Sequence, residues 1–312
     1  MPPQIAVLTG PTATGKTNLS IALAHDIGAE IVSADSMQVY IGMDIGTAKP
    51  TLDEMEGIPH HMLSIISPGN RYSVAMYVEQ ALHCVDGIIA RGKLPLIVGG
   101  TGLYIDSLIA GRRFASPVGD GEIRERLSHE YDILGGETLY NRLKAVDPER
   151  AEKLHFSDRK RIIRALEVYE ATGTTISRHD RESKLKPPRY DARILALDYD
   201  DRQLLYKRID NRVDEMISDG FESEVKDLID AGIDRAGTAM QAIGYKELAL
   251  AIEGGITREE ATVRIKTESR RYAKRQLTWL RGKENITWLR WGSDIDFNRA
   301  RAFSTEFFGF YL

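Results

Sequence analysis

The sequence carries a single cysteine, Cys84, in 312 residues. One thiol excludes an intrachain disulfide and a cysteine-based zinc site. Cys84 lies in an apolar helical pattern and is expected to be a small core residue. No apolar run approaches the ~20 residues that a membrane-spanning helix needs, so no membrane partner is expected. No basic lead precedes the first apolar segment, so no signal peptide is expected, and a reducing cytoplasmic setting is the simplest reading. Net positive charge is also lacking: 42 Lys+Arg stand against 46 Asp+Glu, for a balance of -4. A nucleic acid would therefore have to be met by local basic patches. There is no internal repeat and no low-complexity tract. What remains is a globular composition, 42% hydrophobic and 28% charged, in a chain long enough for one large domain or two smaller ones.

The strongest positive feature is near the start. An apolar run, Ile5-Ala6-Val7-Leu8-Thr9, leads into Gly10-Pro11-Thr12-Ala13-Thr14-Gly15-Lys16-Thr17. This fits the phosphate-loop pattern G-x-x-x-x-G-K-[ST] between a strand and a helical pattern with Leu19, Ala22, Leu23 and Ile27 on one face. The glycines let the backbone turn tightly and bring N–H groups onto phosphate oxygens. The following helix adds the positive end of its dipole. Lys16 can neutralise a terminal phosphate, and the Thr17 hydroxyl can hold Mg2+. The loop alone fits an ATP or other nucleotide site as well as any other phosphate, and does not say how the phosphates are used.

Further strand-like runs occur at 30–33, 93–98, 192–198 and 286–289, with helical patterns between them, notably 73–92. Buried strands alternating with helices predict an α/β fold with a parallel sheet, in which ligands bind beyond the carboxyl ends of the strands. The first three strands end in the phosphate loop, in Asp35-Ser36 and in Gly99-Gly100-Thr101-Gly102, so these loops are expected to converge. From about 116 to 189 strands give way to charged helical segments at 122–131, 137–145 and 158–172. Pro117-Val118-Gly119-Asp120-Gly121 and Lys186-Pro187-Pro188 bracket them. This predicts a helical insertion in a core made of 1–115 and 190–312, with long helices at 201–219 and 257–281.

Asp35 follows the second strand and can serve as a general base or a magnesium ligand, or simply cap a turn. Gln38 can read a nucleobase edge. Residues 42–50 read as an ordered, glycine-punctuated loop. Thr101 can contact a reacting group or cap the helix expected at 103–110. His60 and His61 are adjacent, do not face one another and have no acidic or thiol cluster beside them, so a structural role is favoured. Two basic stretches stand out, 158–167 and 264–283. In the second, Arg264, Arg271 and Arg275 share one helix side while Ile265, Tyr272, Leu277 and Leu280 can pack. A basic helix with an apolar back suits a phosphate backbone better than an ordinary solvated face.

Together these segments resemble the tRNA dimethylallyltransferase family, also called tRNA isopentenyltransferases. The resemblance is carried by GPTATGKT (10–17), ADSMQVYIGMDIGTAKP (34–50), PHHMLSI (59–65), LPLIVGGTGLYIDSL (94–108), DRKRIIRALEVYEATG (158–173), MQAIGYKEL (240–248) and RRYAKRQLTWLR (270–281). It implies a fold of the P-loop NTPase type. It also implies transfer of a dimethylallyl group from dimethylallyl diphosphate to the N6 amine of adenosine-37, beside the anticodon, in tRNAs reading codons that begin with U. Residues 10–17 would then hold the donor's diphosphate rather than ATP, with Mg2+ on Thr17. Lys16, Asp35 and Thr101 would be the catalytic residues. Contacts to tRNA would come from Asp35, Ser36, Met37, Gln38 and Thr101, from Arg124, Arg159, Lys160, Arg161, Ile162 and Ile163 in the insertion, and from Arg271 and Arg275. The insertion would grip the anticodon stem-loop. Some members, chiefly eukaryotic, add a C-terminal zinc finger; with one cysteine this chain resembles the short bacterial form. A monomer is expected.

Three other readings stay open. An ATP-using kinase explains the phosphate loop and Asp35 but not the basic helix or the insertion. A prenyltransferase acting on free adenine nucleotides shares the loop and the aspartate. A non-enzymatic RNA-binding protein is disfavoured by the intact Lys16, Thr17 and Asp35.

Overall fold

The structure is a computed structural model, and it describes residues 2–112, 121–185, 187–293 and 296–309. The chain forms two compact units, Met1–Gly111 with Pro188–Leu312, and Arg112–Pro187. Of the residues expected to bracket the insertion, Pro117 to Asp120 and Lys186 lie outside the described residues.

The first unit is built on six parallel strands: β1 (Gln4–Thr9), β2 (Ala29–Ser33), β3 (His60–His61), β4 (Leu94–Gly99), β5 (Asp191–Tyr199) and β6 (Thr287–Trp291). Their order is β3-β2-β4-β1-β5-β6. Strands covered on both faces need apolar residues at every position rather than alternation. This is why Ile5, Ala6, Val7 and Leu8 are all fully buried. The central strand β1 pairs with β4 through Ala6 opposite Leu96 and with β5 through Ala6 opposite Arg193. The chain reverses direction across the sheet at β1, the position where parallel sheets open a crevice. The short β3 was not foreseen. It places His60 beside Ile31 and His61 beside Val32.

Helices α1 (Lys16–Ile27), α2 (Val74–Ala90) and α3 (Gly102–Ala110) precede the second unit. After it come α9 (Arg202–Ser218), α10 (Phe221–Asp230), α11 (Tyr245–Ile252), α12 (Arg258–Arg281) and α13 (Phe297–Gly309). Thr257 opens α12 with a capping box closed by Glu260. Cys84, expected in the core, is only partly buried on α2, with its Sγ 3.9 Å from Met62 Sδ. Both histidines are structural: His60 Nδ1 lies 2.8 Å from the Ile58 carbonyl, and His61 Nε2 lies 2.8 Å from Glu30. Hydrogen bonds from Arg91, aided by His61, overcome burial and hold the Glu30 carboxyl down at about 2.

The second unit contains α4 (Glu122–Leu134), α5 (Gly136–Val146), α6 (Pro148–Ala151), α7 (Arg159–Thr172) and α8 (Ile176–Lys184). Its core is Leu127, Leu139, Leu143, Ala151, Ile162, Ile163, Ala165 and Leu166. Here one expectation is corrected. Ile162 and Ile163 are 0% and 7% exposed, so their side chains belong to this core and offer nothing to an RNA. The physical reason is the helical period, which turns these two residues inward from a stretch whose neighbours Lys160 and Arg161 are exposed. Arg124 and Arg164 both hold Glu167, each at 2.8 Å. Burial alone would raise the Glu167 carboxyl, but these two hydrogen bonds bring it below its usual range. Arg159 reaches back to α4, 2.6 Å from Ser128 Oγ and 2.7 Å from Asp132.

Candidate active site

The three loops at the ends of β1, β2 and β4 meet. The Ala34 N–H donates to Val98 O at 2.7 Å, and the Thr101 N–H donates to Ala34 O at 3.1 Å. The Ser36 N–H donates to the Thr101 hydroxyl at 3.2 Å. Thr101 does stand at the N-terminus of α3, but its side chain makes no capping bond to that helix. Its hydroxyl faces the Asp35-Ser36 loop instead.

The phosphate loop has a strained, closely packed course. Gly10 has φ of +146°, and a Cβ there would lie 2.6 Å from the Leu197 carbonyl. No other residue type fits that position. Ala13 also has positive φ, 64°. The loop is held from several directions. Thr14 Oγ1 donates to Pro11 O at 2.8 Å, and Trp291 Nε1 of β6 donates to Thr14 O at 2.9 Å. Lys16 Nζ folds back onto the carbonyls of Gly10 (3.0 Å) and Pro11 (2.7 Å). Desolvation, reinforced by the Arg212 guanidinium and opposed by Asp35, pulls the Lys16 amine down to about 7.

Asp35 caps its turn. Its Oδ1 accepts from the N–H groups of Met37 (2.8 Å) and Gln38 (3.3 Å), which caps the turn. No hydrogen bond to Oδ2 is found among the described residues, and Asp35 lines both cavities described below. Gln38 is committed internally. Its Oε1 accepts from Ser33 Oγ, and its Nε2 donates to the carbonyls of Thr47 and Ala48, both at 3.3 Å. The 42–50 loop is ordered as expected. Glu224 of α10 accepts from the N–H groups of Asp44, Ile45 and Gly46, and Tyr245 adds its hydroxyl at 2.6 Å.

Two cavities share this centre, both within the first unit. One, of about 620 Å³, lies over residues 12–18 and takes in Arg208 and Arg212 of α9. The other, of about 310 Å³, runs between α9, α10, α11 and α12 and is lined by Ile209, Val213, Met216, Phe221, Ile243 and Ile265. Thr12, Asp35, Thr47, Arg212, Met216 and Tyr272 border both. A chamber that holds the phosphate loop with Lys16, Arg208 and Arg212, and several carboxylates further out, therefore opens directly onto an apolar one, with Asp35 at the junction. That arrangement fits a substrate with an anionic head and a short hydrocarbon tail. Arg212 is partly buried; desolvation lowers its pKa against the opposing pull of Asp35, and it reaches Thr12 Oγ1 at 3.4 Å.

Other expected residues lie elsewhere. Ser36, Met37 and Arg275 line the apolar cavity, whereas Arg271 lines neither and pairs with Glu268 at 2.6 Å. Arg124, Arg159, Lys160 and Arg161 are in the second unit. Arg212, Gln276 and Trp291 received no role from sequence. The one usable signal was Gln276, a polar residue on the apolar stripe of Ala273, Leu277 and Leu280.

A family profile described as IPP transferase matches residues 38–283, and one described as isopentenyl transferase matches residues 3–65. The chain belongs to the IPP transferase family. It is 49% identical over 287 residues to the tRNA dimethylallyltransferase of Caldanaerobacter subterraneus subsp. tengcongensis, covering 92% of this chain and 91% of that one. It is 46% identical over 292 residues to the tRNA dimethylallyltransferase of Bacillus subtilis, covering 94% and 92%. The crystal structure of the tRNA isopentenylpyrophosphate transferase of Bacillus halodurans is similar with a TM-score of 0.74 and 40% identity, over 99% of this chain and 96% of that one. A eukaryotic dimethylallyltransferase acting on tRNA is similar with a TM-score of 0.83 and 30% identity, over 98% and 80%. As an IPP transferase, the chain has its P-loop fold in common with a prenyl-transferring family. Two of the segments just placed, 240–248 and 270–281, thereby gain a location: the first walls the apolar cavity through Gln241, Ala242, Ile243 and Tyr245, and the second braces the phosphate loop.

Proposed function

We propose that this IPP transferase moves a dimethylallyl group from dimethylallyl diphosphate to the N6 amine of adenosine-37 in tRNAs reading codons that begin with U. The observation that carries this reading is the shared wall between the phosphate chamber and the apolar chamber, with Asp35 at the junction. The diphosphate lies in the cradle of residues 10–17, and the five-carbon group occupies the apolar side. The adenine amine attacks the allylic carbon as the carbon–oxygen bond to diphosphate breaks, and the amine proton passes to Asp35. Lys16 and Arg212 neutralise the charge that grows on the leaving group, a contact that strengthens in the transition state. The Thr101 hydroxyl fixes the Asp35-Ser36 loop by accepting from the Ser36 N–H. An adenine within a stacked loop has to be extruded to reach this centre.

A divalent cation, Mg2+, fits the residues present. No His/Cys/Asp/Glu cluster able to hold a metal is found among the described residues; the Thr17 hydroxyl would hold the ion together with the donor's diphosphate. Such an oxygen-only site would suit Mg2+. When bound it supplies further charge neutralisation to the diphosphate. In the second unit, the exposed Lys160 and Arg161 are the first candidates for the anticodon-arm phosphates, while Arg124 and Arg159 have to exchange a carboxylate for a phosphate. No helix among the described residues is long and apolar enough to cross a membrane. The setting is the cytoplasm, and a monomer suffices because one chain carries both chambers.

The test uses radiolabelled dimethylallyl diphosphate, Mg2+ and either unmodified tRNA or AMP. Label in tRNA alone is expected. Label in AMP selects a nucleotide prenyltransferase, and ATP turnover without prenyl transfer selects a kinase.

A further inference from the structure

Gln276 is a buried amide on α12, 6% exposed, among apolar neighbours. A buried amide needs partners, and both of its partners belong to the active site. Its Oε1 accepts from the N–H of Thr12 at 3.0 Å, and its Nε2 donates to the carbonyl of Gly100 at 3.0 Å. Thr12 is in the phosphate loop after β1. Gly100 precedes Thr101 after β4, and Thr101 holds Ser36 beside Asp35. One side chain therefore spans the gap between the cradle of the leaving group and the loop that carries the proton acceptor. Gly100 is shaped around it: a Cβ at this position would lie 2.1 Å from Gln276 Nε2.

Resting on the prenyl-transfer reading, we propose that Gln276 is a positioning residue that sets the separation between the departing diphosphate and the incoming amine. The geometry explains why such a brace matters. Displacement requires reacting atoms held about 3–3.5 Å apart and aligned, and a misplacement of ~1 Å costs on the order of a hundredfold in rate. The two loops leave different strands, and the Gln276 amide is hydrogen-bonded to both. A slack gap also admits water, which competes with the amine for the same carbon. In that side reaction water attacks the allylic carbon, the bond to diphosphate breaks and the water proton goes to solvent, giving dimethylallyl alcohol.

The test compares wild type, Gln276→Met, Gly100→Ala and the double variant with labelled dimethylallyl diphosphate, Mg2+ and unmodified tRNA. Met keeps the side-chain length and removes both hydrogen bonds. Three quantities are read: kcat for tRNA prenylation, the KM for donor, and the ratio of alcohol to prenylated tRNA. We expect Gln276→Met to lower kcat by at least ~30-fold with the donor KM within about threefold, and to raise the alcohol share. Gly100→Ala displaces the amide from the other side and gives the same phenotype, so the proposal stays testable if the Gln276 variant folds poorly. In the double variant the second change adds little, because the contact is already gone. Wild-type kcat and product ratio in Gln276→Met overturn the role. So does a parallel fall of kcat, donor binding and thermal midpoint with an unchanged product ratio, which marks a merely structural residue. Failure of wild type itself to label tRNA sinks the prenyl-transfer reading and this role with it.

Discussion

Lys16 sits under two opposed demands. The phosphate loop folds its ammonium onto the Gly10 and Pro11 carbonyls, yet desolvation and Arg212 pull its pKa from 10.5 to about 7. Folding thus makes Lys16 harder to protonate than in the unfolded chain. Its contribution to stability improves as pH rises from about 7 towards 10.5 and is least favourable below that window. Donor binding has the opposite sign, because an anionic diphosphate favours the charged amine. Donor affinity is therefore expected to be full below about pH 7 and to weaken above it, by up to tenfold per pH unit, until the pKa of the complex is reached. Calorimetric titration of the donor against wild type and Lys16→Arg checks this. The arginine stays charged throughout, so the ratio of the two affinities removes the donor's own ionisation. A ratio independent of pH sinks the idea. Asp35 illustrates what a sequence can and cannot settle at this scale. Its position after β2 made it a cap or a base. In the fold Oδ1 accepts both cap bonds while the residue lines both cavities, a combination that no spacing rule contains.

At the scale of elements, α12 shows how a charge pattern misleads. From sequence its basic excess pointed outward to a phosphate backbone. Part of it is turned inward, to α9: Lys266 lies 2.7 Å from Asp214 and Arg270 lies 2.8 Å from Asp210. Arg264, Arg271, Lys274, Arg275 and Arg281 are exposed. Partly exposed pairs such as Arg270–Asp210 contribute only ~0.2–1 kcal/mol. Arg270→Met is therefore expected to lower stability by less than about 1 kcal/mol and to leave the salt dependence of tRNA binding unchanged. Arg271→Ala is expected to weaken tRNA binding uniformly and to reduce the slope of log K against log salt by about one. Filter binding across a salt series, with denaturant melts of the same proteins, separates the two. Equal slopes for both variants would return Arg271 to the ordinary surface. The strands were legible because parallel sheets demand continuous apolar runs, and each expected strand is found within a residue or two. Helices α10, α11 and α13 were not foreseen, and β3 is too short to leave a periodicity. Gln276, Trp291 and Arg212 escaped notice for a different reason: they act on loops 176 to 277 residues away in the chain, where no local pattern records the contact.

The whole molecule is organised so that the first unit closes on itself without the second. Both cavities, the phosphate loop and the α12 brace are made of residues from Met1–Gly111 and Pro188–Leu312. The two points where the chain leaves and re-joins that unit are neighbours: the Arg189 N–H donates to Ile109 O at 3.0 Å, and the Tyr190 hydroxyl reaches Asp86 at 2.8 Å. A short link across such a gap costs little loop-closure entropy. The second unit likewise has its own core of Leu127, Leu139, Leu143 and Ile162, and its own ion-pair network around Glu130, Glu167 and Glu170. Replacing residues 112–187 with a short glycine-rich link is therefore expected to leave a cooperatively folded protein that binds dimethylallyl diphosphate within about threefold of the full chain, since no residue of either cavity is removed. The same protein is expected to lose tRNA affinity by at least ~10-fold, because the exposed Lys160 and Arg161 and their neighbours go with the deleted unit. Donor calorimetry and a tRNA gel shift on one preparation read both. Loss of donor binding in a folded deletion would mean that the second unit takes part in forming the donor site. Retained tRNA affinity would place the anticodon arm on α12 and the first unit alone.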